Sequence, residues 1–302
     1  MGQTTTESVL KTTEILNTSD NSNQQYWDLI ITPKKKWLDL RLDELWRYRD
    51  LLMLFVRRDI VSFYKQTILG PVWYFLQPIF TTIVFTFVFG RLAGLSTDGL
   101  PQPLFYLAGL TSWNYFADCL TKTSTTFKDN AAIFGKVYFP RILSPLSIII
   151  SNLARFGIQM VLFIILFVYY LFQGSEIMPG WEILLFPVFV LFMAMQGLGF
   201  GMIITAMTIK YRDLTYLVTF GVQLMMYATT VIYPLSSISN EMYWIVALNP
   251  MTFIIEGVKV STLGVGVLTA DSFLYASIMS VVIFLMGVLI FNKVEKTFID
   301  TI

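Results

Sequence analysis

The chain has 302 residues, of which 55% are hydrophobic and 14% charged, a composition outside the range of water-soluble globular domains. Its 21 Lys plus Arg against 20 Asp plus Glu leave a net charge of +1, which gives no general attraction for nucleic acid or acidic substrates. With no histidine and one cysteine, Cys119, the sequence excludes an intrachain disulfide, a thiolate metal cluster and any nucleophile that needs a Ser-His or Cys-His pair.

Residues 1–32 read as a polar, disordered tail rich in Thr, Ser, Asn and Gln, without the apolar stretch of a signal peptide. Residues 33–66 read as a cytoplasmic segment. Within it Leu45, Tyr48, Leu52, Phe55 and Phe63 recur at helical spacing, while Arg47, Asp50, Arg57, Arg58 and Lys65 fall on another face. That pattern predicts an amphipathic helix on the membrane surface. The plainer alternative is a stop-transfer flank that only fixes topology.

A hydrocarbon layer about 30 Å thick requires roughly 20 apolar residues in a helix. Residues 67–292 contain six stretches of that kind: between Lys65 and Arg91, between Asp98 and Asp118, Ile142 to Ser175, Ile183 to Ile209, Leu214 to Asn240, and Ser272 to Asn292. The fold class expected is therefore all-α integral membrane, with six transmembrane helices and a short tail, 293–302. Six crossings put both termini on one side. The connections on that side carry 18 Lys and Arg, the opposite ones only Arg91 and Lys259, so both termini are expected in the cytoplasm.

The outer segment from Ser236 to Asp271 is too apolar for a solvated loop and too broken for a span. Asn240 suits the cap of a short helix to Leu248, and Asn249-Pro250 restarts one to about Thr262. Pieces of about 12 to 18 Å can dip into a membrane and return but not cross it. Irregular backbone at membrane depth must be covered by protein or line a watery cavity, which makes this re-entrant helix pair a gate candidate. The alternative is a hairpin resting on the outer leaflet through Tyr243 and Trp244.

Arg155, alone inside the third stretch, either faces a cavity or an acidic partner, or snorkels to the headgroups from a tilted helix. Tyr227 and Tyr233 are the conduit-lining candidates, since a buried phenol seeks a partner and an aromatic face suits the C–H face of a sugar. Trp244 and Phe253 on the helix pair join that group. Acidic residues of the outer loops, Glu176, Glu182, Glu241 and Asp271, are scattered, which weighs against a membrane transferase acting on lipid-linked sugars. An ion channel would need a charged or carbonyl ring that the sequence does not display.

Several motifs resemble the polysaccharide-export permeases of the type-2 ABC transporters, which handle O-antigen, capsule and teichoic-acid chains. They are Leu45-Trp-Arg-Tyr-Arg-Asp-Leu-Leu-Met-Leu-Phe-Val-Arg-Arg-Asp-Ile60, Tyr64-Lys-Gln-Thr-Ile-Leu-Gly-Pro-Val-Trp73, Pro78, Phe139-Pro-Arg141, Tyr211-Arg-Asp213, Tyr233-Pro234, Asn249-Pro-Met251 with Glu256, and Val294-Glu-Lys296. The first block is specific, and the later short ones are weak singly. The resemblance implies a homodimer in the bacterial inner membrane paired with two copies of a separate ABC ATPase that holds ATP and Mg, the chain itself being a non-enzymatic permease without cofactor. The absence of a G-x-x-x-x-G-K-[ST] phosphate loop from the sequence agrees. It further implies that the substrate is a lipid-linked polysaccharide whose lipid pyrophosphate end meets Leu69-Gly70, with Arg57, Arg58 and Lys65 as nearby cations that either pair with its phosphate oxygens or sit among anionic lipid headgroups. Arg47, Asp59, Lys122, Lys128 and Lys136 fall in the segments expected to contact the ATPase. A type-2 exporter of another lipid or drug would share the fold and partner but need a different cavity.

Overall fold

The computed structural model describes residues 42–65, 70–175, 177–208, 211 and 213–299. The polar tail, Leu69, Glu176, Arg212 and the side chain of Phe63 lie outside the described residues.

Every regular element among the described residues is helical. Helices α1 (Leu42–Arg47) and α2 (Arg49–Tyr64) form the segment expected to be amphipathic, broken once at Tyr48. Phe55 and Val56 are buried, with Phe55 edge-on to Phe139 at 5.5 Å, whereas Trp46, Met53 and Leu54 are exposed. A 3-10 turn at Gly70–Val72 leads into α3 (Trp73–Phe85), which contains Pro78 and runs on as a π-helix through Thr86–Leu92.

At the centre stands α4 (Gln102–Ser124), whose residues from Leu104 to Trp113 are all buried. Two single turns, α5 (Thr126–Asp129) and α6 (Ala131–Phe134), connect it to α7 (Leu143–Phe172). A 3-10 turn at Trp181–Leu185 opens α8 (Phe186–Thr208). The chain then continues through α9 (Leu214–Tyr227), α10 (Asn240–Ala247), α11 (Pro250–Leu263) and α12 (Ala270–Ile299).

Four of these units are long and apolar enough to cross a membrane: Trp73–Leu92, Leu143–Phe172, Trp181–Thr208 and Ala270–Glu295. The stretch expected as the second crossing is α4, about 34 Å long at 1.5 Å per residue. It is less apolar because neighbouring helices, rather than lipid, surround it, and so it tolerates Asp118 and Lys122. The stretch expected to run from Leu214 to Asn240 differs more. Its helix ends at Tyr227, about 21 Å from its start and short of a 30 Å layer. Thr229-Thr230-Val231-Ile232 is β-branched throughout, the Thr229 hydroxyl bonds back to Met226 O at 2.8 Å, and Pro234 bars resumption.

Glycines let the inner helices approach closely. A Cβ on Gly197 would lie 2.7 Å from Cys119 Cβ and one on Gly201 2.5 Å from Thr123 Cβ, both on α4. Small residues allow such backbone approach between membrane helices, where lipid supplies no hydrophobic drive. The buried residues form two clusters. The larger joins α4, α8 and α11, and the smaller gathers Phe55, Phe127, Phe134, Phe139 and Phe291 where α2, α5, α6 and α12 meet.

Asn249 caps α11 by accepting from Met251 N at 3.1 Å, with Pro250 in the first turn, as expected from the sequence. Gly264 ends it at φ +75, a left-handed conformation that favours glycine. The shorter α10 begins at Asn240, with Ser239 rather than Asn240 in the cap position.

Candidate functional site

The residues with chemistry gather where the C-terminal end of α4 meets α2 and α7. Arg58 pairs with Asp59 at 2.8 Å, donates to Asn130 Oδ1 at 3.3 Å, and holds its guanidinium 4.8 Å from the Phe55 ring centroid. Asp59 in turn accepts from the Ser147 hydroxyl at 3.3 Å. One residue pair of α2 therefore grips both the segment after α4 and the start of α7. Beside it lies a cavity of about 280 Å³, lined among others by Arg58, Asp59, Lys122, Asp129, Asn130 and Ser144.

A two-rung polar ladder continues from there between α4 and α7. Asp118 and Lys122 lie one turn apart on α4, facing Asn152 and Arg155 on α7. Lys122 Nζ donates to Asn152 Oδ1 at 2.8 Å, and Arg155 forms a close ion pair with Asp118. The Arg155 guanidinium also lies 5.3 Å from the Tyr74 ring centroid, which ties α3 to the same ladder. Of the two sequence readings for Arg155, an acidic partner is the one seen. The spacings of four and three within apolar helices were the available signal, and Asp118 and Asn152 escaped notice because Asp118 looked like a span boundary.

The connection after α4 has a buried and an exposed face. Phe127 and Phe134 are buried, Phe127 stacks on Phe291 at 5.0 Å, and Lys128, Asp129 and Lys136 are exposed. Buried Arg141 closes the connection by donating to the Glu295 carbonyl at 3.0 Å and covering the Phe134 ring at 5.4 Å. Burial lowers the Arg141 pKa from its usual value, opposed by the Glu295 charge. Arg47, Arg57 and Lys65 are exposed, and Gly70 takes φ +50 at the start of the turn before α3.

The conduit candidates separate into three environments. The Tyr233 hydroxyl donates to the Tyr227 carbonyl at 3.2 Å, so those two are joined. Trp244 is 73% exposed on α10, edge-on to Tyr243. Phe253 is buried and packs edge-on to Tyr275 at 5.7 Å. The partners seen for Arg155 are Asp118 and Tyr74, not these tyrosines. Among the described residues, no cluster of His, Cys, Asp or Glu is arranged to hold a metal ion.

The family model described as ABC-2 type transporter matches residues 50–263. The chain belongs to the ABC-2 type transporter family. It is a multi-pass membrane protein, and membership implies pairing with an ABC ATPase. The O-antigen export system permease protein RfbA of Myxococcus xanthus is 32% identical over 211 residues, 69% of this chain and 78% of that protein. Two proteins of the same name from Klebsiella pneumoniae are each 26% identical over 252 residues, 83% of this chain and 94% of theirs. The ABC-2 match begins inside α2 and ends at the last residue of α11, so it takes in both the polar seam and the α10–α11 pair.

Proposed function

We propose that this chain is the permease subunit of an ATP-driven exporter that moves a lipid-linked polysaccharide of the O-antigen type outward across the bacterial inner membrane. The observation that carries the reading is the extended similarity to O-antigen export permeases, which covers 83% of the chain. The geometry supports it: α2 and the segment after α4 meet through Arg58, Asp59 and Asn130. Force applied there by a partner reaches α4 and α7 through the polar ladder. Arg47, Asp59, Lys122, Lys128 and Lys136 are the residues assigned to that coupling.

The working unit is a homodimer with two ATPase subunits, which bind and hydrolyse ATP with Mg. The basic connections, and both termini, face the cytoplasm, in line with the 18 to 2 distribution of Lys and Arg. Six crossings follow if α4 and α9 are counted with the four long apolar units, α9 being completed in depth by the irregular residues after Tyr227. The α10–α11 pair then re-enters from the outer side. Arg57, Arg58, Lys65, Leu69 and Gly70 meet the phosphates of the lipid carrier, and Tyr227, Tyr233 and Trp244 border the path of the sugar chain.

The test is twofold. Affinity capture of the tagged protein from detergent should recover a Walker-motif subunit with vanadate-sensitive ATP hydrolysis, and deletion of the chain should trap the polysaccharide on its lipid carrier inside the cell. Capture of a homomer without any ATPase, together with normal surface polysaccharide in the deletion strain, overturns the reading.

A further inference from the structure

A second charge pair lies toward the other end of α4. Glu256 and Lys259 stand one turn apart on α11, each 1% exposed, with Lys259 Nζ 3.3 Å from Glu256 Oε1. Phe105, whose ring centroid lies 3.9 Å from Lys259 Nζ, precedes Lys122 by 17 residues on α4, about 26 Å along the helix. The pair is therefore separate from the polar seam.

Its contacts radiate from α11 to three other segments. Lys259 donates to the Thr230 carbonyl in the turn after α9 and sits over Phe105 on α4. Glu256 Oε2 accepts from Val267 N at 3.5 Å in the loop after α11. Two enclosed charges must recover a large desolvation cost through good geometry, and charges held within a membrane protein ordinarily mark function rather than bulk stability. The neighbouring helix is built differently. Val246 is the buried residue of α10, while Trp244, Ile245 and Leu248 are exposed.

We propose that Glu256 and Lys259 are positioning residues that fix α11 as an immobile wall of the export path, leaving α10 as the element that moves. The proposal rests on the reading of this helix pair as lining an outlet. The pair ties α11 to α4, to the turn after α9 and to the loop after α11, whereas α10 enters the larger buried cluster through Val246 alone, with Tyr243 and Ala247 packed against it, and accepts from Thr252 at its C-terminal turn. The asymmetry is one of construction within a single hairpin, not of sequence distance.

Hydrogen exchange on the wild-type protein in nanodiscs tests the division directly: α10 amides are expected to exchange at least 100-fold faster than those of α11. A second readout isolates the pair. Ser261 on α11 is fully buried, and Ser239 before α10 is exposed. In a Cys119→Ser background, Ser261→Cys should resist maleimide while Ser239→Cys reacts freely. Adding Glu256→Leu with Lys259→Met, which removes both charges without stranding either, should raise labelling at position 261 at least tenfold. Exchange of α10 and α11 as one unit, or continued protection of position 261 in the folded double variant, overturns the proposal. Neither measurement requires polysaccharide or ATP, so failure of the export reading in a deletion strain is recognised separately. Should the paired variant fail to insert, exchange of α10 and α11 as one unit in the wild-type protein still overturns the proposal.

Discussion

Gly287 meets Gly199 across the α8–α12 interface so closely that a Cβ on Gly287 would lie 2.6 Å from the Gly199 carbonyl oxygen. A Cβ on Gly199 would likewise lie 2.6 Å from the Ile283 carbonyl oxygen. Both obstacles are backbone, so a side chain here must part the helices rather than displace a flexible neighbour. Gly199→Val and Gly287→Val are each expected to cost about 1–3 kcal/mol, as overpacking does. Gly221→Ala, with nothing within 4 Å of its Cβ position, should leave the melting temperature unchanged or raise it slightly. Thermal unfolding of the three variants in one detergent compares them, and equal stability would refute the tight seam.

The Asp118–Arg155 pair calls for a double-mutant cycle. Its side chains are 32% and 16% exposed, so water screens part of the interaction. Removing one partner leaves the other charge half-buried, and Asp118→Asn or Arg155→Gln alone should cost about 1–2 kcal/mol. The combined variant should regain at least half of that loss. Strict additivity of the two single changes would show that the pair contributes nothing to holding α4 against α7.

Arg58 separates folding from partner binding. Its ion pair with Asp59 is partly solvent-exposed, and pairs of that kind contribute little to stability, so Arg58→Ala should cost less than about 1 kcal/mol. Because the same side chain reaches Asn130, its loss should loosen the polar contact between α2 and the segment after α4, which Phe55 still holds together, and reduce recovery of the ATPase subunit severalfold. Undiminished recovery with full ATPase activity removes Arg58 from the coupling path.

How much of this was legible in the sequence depended on the kind of signal. Long apolar runs such as Leu143–Phe172 and the Asn249-Pro250 cap are local, and local rules located them. The end of α9 at Tyr227 was missed because hydropathy treats Thr229-Thr230-Val231-Ile232 as apolar enough to continue, while β-branching and a back-bonding hydroxyl stop the helix. Arg155 was conspicuous as a lone charge, but its partner lies 37 residues away, and only three-dimensional packing chooses among acids at that distance. Glu256 and Lys259 were noticed separately, one within a motif and one as an outer charge, although their spacing of three on an apolar helix is a local signal for a pair. Phe253 was grouped with the conduit candidates Tyr227, Tyr233 and Trp244, and it is buried and packs edge-on to Tyr275.

The segment after α4 offers the sharpest test of coupling, because its two faces have opposite roles. Phe127 is 1% exposed and stacked on Phe291 of α12 at 5.0 Å, so Phe127→Ala should open a cavity and cost about 3–5 kcal/mol, the usual range for a buried phenylalanine. Phe127→Leu keeps most of the volume and should cost clearly less, which allows the segment to be loosened by degrees. The adjacent Lys128 is exposed, and Lys128→Ala should change stability by less than about 0.5 kcal/mol. If this segment transmits force from an ATPase, the Phe127 variants should retain the partner yet hydrolyse ATP without export, whereas Lys128→Ala should weaken partner capture while leaving the melting temperature intact. The two residues are adjacent in sequence, so a merely structural role for the segment predicts loss of stability and export together at Phe127 and no effect at Lys128; measuring capture, hydrolysis and melting on the same preparations tells the two cases apart.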